Sequence, residues 1–118
     1  MPSFRPVAIV ETPEFLSAAN GLLSDDERTT LIDYLAFNPR AGAVVSGTGG
    51  IRKLRWGLEG RGKRGGARVI YFYHNGEMPL FILTAYAKNQ SADLSQQDKN
   101  DFKRLTKQLA ECYKRPER

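Results

Sequence analysis

Cysteine is nearly absent: Cys112 is the only one in 118 residues. No intramolecular disulfide can form, and a zinc site built on thiolates is excluded, which suits a reducing cytoplasm. Histidine is as scarce, with His74 alone. A Ser/His/Asp triad or a Cys/His pair would have to run through that residue, and the pattern places no nucleophile beside it. Long apolar runs are missing too. The stretch Val7 to Val10 is far short of a secretory core, and nothing approaches membrane-spanning length, so a soluble cytoplasmic protein with no membrane partner is expected. Acidic residues are thin where basic ones are dense: between Arg52 and Arg68, Glu59 is the only acid. Asp25, Asp26 and Glu27 do cluster, but at a helix start, where capping and the helix dipole account for them. No metal site and no cofactor is expected.

What is present is an ordinary globular composition, 41% hydrophobic and 26% charged, with a net charge of +5. The length suits a single domain over 1–118. The positive balance calls for an anionic partner, a nucleic acid or an acidic protein. Basic residues concentrate at Arg52, Lys53, Arg55, Arg61, Lys63, Arg64 and Arg68. They lie on and between strand-like segments, so they form a fixed array, able to act on a phosphate as well as bind one.

Along the chain, Val7 to Glu11 reads as a strand ending at Thr12-Pro13, which opens a helix over 13–22. Ser24 with Glu27 is a capping box for a second helix, with Leu31, Ile32 and Leu35 inward and Asn38-Pro39 as its stop. Gly42, Gly47, Gly49 and Gly50 mark a loop. Ile51 to Leu58 alternates as a strand, with Lys53 and Arg55 on one face and Leu54 and Trp56 on the other. Glu59 to Gly66 reads as a mobile loop, Arg68 to His74 as the next strand, Asn75-Gly76 as a tight hairpin turn, and Met78 to Ala87 as the last strand. The last two strands are apolar on both faces and should be central. Ser95 and Asp98 start a final helix over 96–114, with Phe102, Leu105, Leu109 and Cys112 or Tyr113 inward. Lys99, Lys103, Arg104 and Lys107 are left on a solvated face. The fold class is α+β on a mainly antiparallel sheet.

Two nucleotide-binding patterns occur in the glycine loop and fail on context. Gly57, Gly62 and Lys63 mimic a P-loop, but Arg64 stands where Ser or Thr must bind metal. Gly60, Gly62 and Gly65 mimic a dinucleotide fingerprint, yet a strand follows where a helix is required. The cationic set with its neighbouring tyrosines remains: Lys53, Arg55, Arg68 and Lys88, with Tyr71, Tyr73 and Tyr86. Successive antiparallel strands can bring these together. Tyr71 and Tyr73 fall on the face opposite Arg68, where a core role suits them.

Ile51 to Leu94 resembles the RelE/HigB superfamily of toxins from type II toxin–antitoxin systems, closest to a HigB-type branch. The resemblance rests on GTGGIRKLRW, GRGKRGGARVIYFY, and LTAYAKN followed by Asp93-Leu94. It implies a RelE-like fold, β-α-α-β-β-β-α, with the first strand beside the last in a four-stranded sheet. It also implies a ribosome-dependent mRNA endoribonuclease that inhibits translation and is neutralised by an antitoxin. The family's catalytic basic residues fall on Lys53, Arg55, Arg68 and Lys88. Arg52, Arg61, Lys63, Arg64, Tyr86 and Asn89 are the expected RNA contacts. A tyrosine that some relatives carry a few residues further on is replaced by Leu94, leaving Lys53, Lys88 and Tyr86 as candidate proton acceptors. Two other functions fit the same residues: a ParE-like gyrase inhibitor on the same fold, and a non-catalytic RNA-binding module.

Overall fold

Thr12 shows how local chemistry and long-range packing meet in one side chain. Its Oγ1 accepts from the Phe15 N–H at 3.2 Å and donates to the Ile82 carbonyl at 2.8 Å, so one hydroxyl caps a helix and ties it to a distant strand. The computed structural model describes residues 5–58, 62–88 and 94–114, the side chains of 62–65 excepted. Thr12 links β1 (Ile9–Glu11) to α1 (Pro13–Ala19), where Pro13 gives up an N–H that the first helical turn leaves unused. α2 (Asp25–Phe37) opens with the expected capping box, Ser24 N–H to Glu27 at 2.8 Å and Glu27 N–H to Ser24 at 3.0 Å.

The chain continues through β2 (Ala43–Val44), β3 (Ile51–Leu58), β4 (Gly62–Phe72), β5 (Leu80–Ala87) and α3 (Gln96–Cys112). The strand order is β1-β5-β4-β3-β2, with β1 parallel to β5 and every other pair antiparallel. β4 and β5 are therefore central, as their two-sided apolar composition requires. One face carries Leu54, Val69, Tyr71, Leu80, Ile82 and Ala85 and is covered by Phe15 and Ala19 of α1 and Leu31 and Leu35 of α2. The other carries Ile51, Ile70, Phe72, Phe81 and Leu83 and is covered by Phe102, Leu105 and Leu109 of α3. Among the described residues, no helix is long and apolar enough to cross a membrane.

Ile82 and Ala85 share a face although they are an odd number of residues apart. The reason is a bulge: Tyr71 faces Ile82 but Ile70 faces Thr84, so Leu83 is the extra residue. The Leu83 carbonyl lies 3.2 Å from the Thr12 hydroxyl, beside the bond to Ile82.

Several expectations are corrected. The sheet has five strands rather than four, because the glycine-rich segment read as loop contains the two-residue β2, paired with Arg52 and Lys53. β4 begins at Gly62, so most of the stretch read as a loop over 59–66 is strand, paired after a register change between Trp56 and Leu58. At Gly66 a Cβ would stand 2.3 Å from the Trp56 carbonyl oxygen, so glycine there permits close strand approach rather than loop freedom. Asn75-Gly76 does not form a two-residue hairpin. Asn75 instead accepts from the Glu77 N–H at 2.8 Å inside a longer connection, and the positive-φ glycines among the described residues are Gly21, Gly47, Gly49 and Gly50. α1 stops at Ala19 instead of residue 22, and β5 starts at Leu80 instead of Met78. Cys112 is exposed, while the Tyr113 ring meets Phe81 edge-on at 6.0 Å.

Candidate functional site

Alternation along β3 sends Lys53 and Arg55 to the face that α3 partly covers, and the register supplies their neighbours. Arg55 lies directly opposite Arg68, and Arg68 directly opposite Tyr86. Three side chains from three strands thus form one transverse row, with strand axes about 4.8 Å apart. One step along, Lys53 faces Ile70 and Ile70 faces Thr84. The Lys88 N–H closes the end of the ladder on the Gly66 carbonyl at 3.1 Å, two residues beyond Tyr86. Arg55 and Lys88 are exposed, and Lys53, Arg68 and Tyr86 are half-buried.

The row is electrostatically costly as it stands. Like charges directly opposite in a sheet destabilise it, by an amount on the order of 0.2–1 kcal/mol. Among the described residues neither Arg55, Arg68 nor Lys88 makes a salt bridge; ion pairs occur at Arg28 with Glu11 and Asp25 and at Arg104 with Asp101. Among the described residues the Arg68 guanidinium donates only a long 3.4 Å bond, to the Ala67 carbonyl. An anion bridging Arg55 and Arg68 would turn that repulsion into attraction. The Tyr86 hydroxyl is fully buried and has no hydrogen-bond partner among the described residues. The bulge at Leu83 decides that Tyr86 stands here at all: without the extra residue, Ala85 would face Arg68. No sequence pattern announces that bulge.

Arg52 is not brought into the row. It projects from the opposite face, where its guanidinium donates to the carbonyls of Gly42 at 2.7 Å and Arg40 at 3.2 Å. Tyr71 completes this clamp, accepting from the Gly42 N–H at 2.8 Å and donating to the Pro39 carbonyl at 2.8 Å. Burial pushes the Tyr71 phenol above its ordinary value, with the Gly42 N–H and the Arg52 charge pulling it partly back. Gly42 is required because a Cβ would lie 2.9 Å from the Tyr71 ring and 3.0 Å from the Lys53 carbonyl oxygen. The clamp therefore positions the strand segment that carries Lys53. Sequence reasoning missed this role for Arg52 and Tyr71, since carbonyl acceptors leave no residue signature.

Arg61 and Asn89 lie outside the described residues; Lys63 and Arg64 stand on β4, their side chains likewise outside. His74 is exposed past the far end of β4, stacked near Phe72 at 6.1 Å. Leu94 borders a hollow of about 410 Å³ shared with Glu14, Thr84, Tyr86, Asp98, Asp101 and Phe102.

The family comparison falls on these same elements. A sequence model described as the RelE toxin of the RelE / RelB toxin-antitoxin system matches residues 41–116, which takes in β2 to α3 and every member of the cationic set. A toxin of such a system has an antitoxin as its partner. From the sheet that carries Arg55, Arg68 and Tyr86 in register and from a match over well more than half its length, this chain belongs to the RelE toxin family.

Proposed function

We propose that the chain is a ribosome-dependent mRNA endoribonuclease of the HigB-type branch, inhibiting translation in the cytoplasm until its antitoxin covers the basic face. The observation that carries this reading is the facing pair Arg55 and Arg68 with Tyr86 beside them and Lys53 one step away. In metal-free RNA cleavage the ribose 2′-hydroxyl attacks the adjacent phosphorus and its proton passes to a base. The bond from phosphorus to the 5′-oxygen then breaks, that oxygen takes up a proton, and a 2′,3′-cyclic phosphate and a 5′-hydroxyl remain. Charge builds on the non-bridging oxygens meanwhile, and a pair of guanidiniums fixed in a sheet is preorganised to receive it. Arg68 is assigned the bidentate contact to those oxygens, with Arg55 as the second donor. Lys53 is assigned the proton acceptor role and Lys88, at the open end of the row, the return of a proton to the leaving oxygen. Tyr86 offers its ring to a flanking base, and Lys63 and Arg64 grip phosphates through the salt-sensitive term of RNA binding.

The test is to supply the purified protein to translating ribosomes and map the ends produced. Codon-aligned cuts bearing cyclic phosphate support the reading. Intact message together with inhibited DNA gyrase would replace it by the topoisomerase-inhibitor alternative.

A further inference from the structure

The lysines of α3, which sequence patterning consigns to solvent, take on a direction once the helix is docked. Thr106 is 2% exposed and its hydroxyl donates to the Thr48 carbonyl at 3.1 Å, so the middle of α3 leans on the turn before β3. Gly49 sits in that turn at φ +77°, and a Cβ on it would meet Thr106 Oγ1 at 2.3 Å and the Lys103 Cα at 3.7 Å. Seven residues of helix are close to two turns, so Lys99 lies on the same side as Thr106, about 10 Å nearer the N-terminus. The helix runs opposite to β5: its first turns share a hollow with Thr84 and Tyr86, and Tyr113 near its end meets Phe81. Travelling from Thr106 to Lys99 therefore leads from the start of β3 toward the rows that hold Lys53 and Arg55. Four residues of β3 cover about 13 Å, a matching distance. Lys99 is half-buried, unlike the exposed Lys103 and Lys107.

The two flanks of the helix start carry opposite charge. Toward α1 the hollow is lined by Glu14, Asp98 and Asp101. Toward β3 stand Lys99 and Lys103, and beyond them a shallow groove of about 300 Å³ is bordered by Asn100, Lys103, Arg104 and Lys107. A polyanion leaving the Arg55–Arg68 row meets carboxylates on one side and ammonium groups on the other.

We infer that single-stranded RNA flanking the scissile phosphate runs over this lysine edge, past Lys99 and then Lys103, and not across the acidic hollow beside α1. The inference rests on the nuclease reading for its starting point and adds the path of the bound strand. Each lysine that contacts a phosphate contributes roughly 0.7 to the slope of log K against log salt for a single strand. Binding of a short 2′-O-methyl RNA, which cannot be cleaved, is to be measured by anisotropy across a salt series with the full chain. Lys99→Gln with Lys103→Gln should lower the slope by roughly 1.4, whereas Lys114→Gln, at the other end of α3, should leave it within about 0.2 of wild type. An unchanged slope in the double variant, an equal drop in the Lys114 variant, or no RNA binding by the wild type overturns the path. So does loss of antitoxin affinity in the double variant with RNA binding intact, because the edge then serves a protein. If the double variant keeps its slope while Arg68→Ala abolishes cleavage, the path alone fails. If the slope falls but the wild type leaves message intact on translating ribosomes, the nuclease reading fails and the lysine edge stands as an RNA-binding surface.

Discussion

Replacing Tyr71 by Phe removes one oxygen from the interior and tests whether the clamp on residues 39–42 holds the strand that bears Lys53. The side chain is fully buried, and its hydroxyl both accepts from the Gly42 N–H and donates to the Pro39 carbonyl, each at 2.8 Å. The ring keeps its packing in Phe, so the cost comes from the two backbone groups left behind. A buried polar group without a partner costs about 1–3 kcal/mol, and with Gly42 itself buried we expect a loss near 2 kcal/mol. At roughly 2.1 cal/mol/K of unfolding entropy per residue, that lowers Tm by about 8 °C. In urea the midpoint should fall by roughly 1 M with an unchanged m value. The pH dependence gives an independent check. Because the folded phenol titrates above its ordinary value near 10, the unfolded chain releases this proton first. The contribution of Tyr71 is thus fully present below pH 10 and is lost as pH rises toward the folded value. Stability curves of wild type and Tyr71→Phe should converge above pH 10. Equal midpoints at pH 8, or a gap that stays constant into the alkaline range, would refute the clamp.

Three further outcomes follow from the same geometry. Gly66→Ala places a Cβ 2.3 Å from the Trp56 carbonyl oxygen and should destabilise the protein by about 2 kcal/mol through overpacking, read as a lower Tm. Thr106→Val removes the donor to the Thr48 carbonyl and should cost about 1 kcal/mol in urea unfolding. Tyr86→Phe discards a buried hydroxyl that has no partner among the described residues and should raise stability by about 1 kcal/mol, where Tyr86→Ala should lower it.

Much of this architecture could be read from residue order because its causes are local. Both capping boxes, the proline at the start of α1 and the division of β3 into a cationic and an apolar face depend on residues within a turn or two of each other. The features that escaped reading depend on distant partners. β2 exists because two residues find the edge of β3, and Gly66 is needed only because the Trp56 backbone crosses it. The bulge that seats Tyr86 beside Arg68 has the Thr12 hydroxyl next to it, 71 residues away in the chain. Lys53, Arg55 and Arg68 were legible as a set from charge and alternation. Arg52, equally basic, looked the same and turned out to face loop carbonyls, a distinction that only its parity on β3 and the position of Gly42 decide.

The central claim is that Arg55 and Arg68 meet at one reacting phosphate. Primer extension on a message translated in the presence of Arg68→Ala, beside wild type and Arg68→Lys, tests it most directly. The account predicts a loss of cleavage of at least a hundredfold in the alanine variant, corresponding to about 3 kcal/mol of lost charge stabilisation, with partial recovery in lysine and a Tm no lower than that of wild type. Wild-type cleavage by a folded Arg68→Ala protein would contradict it.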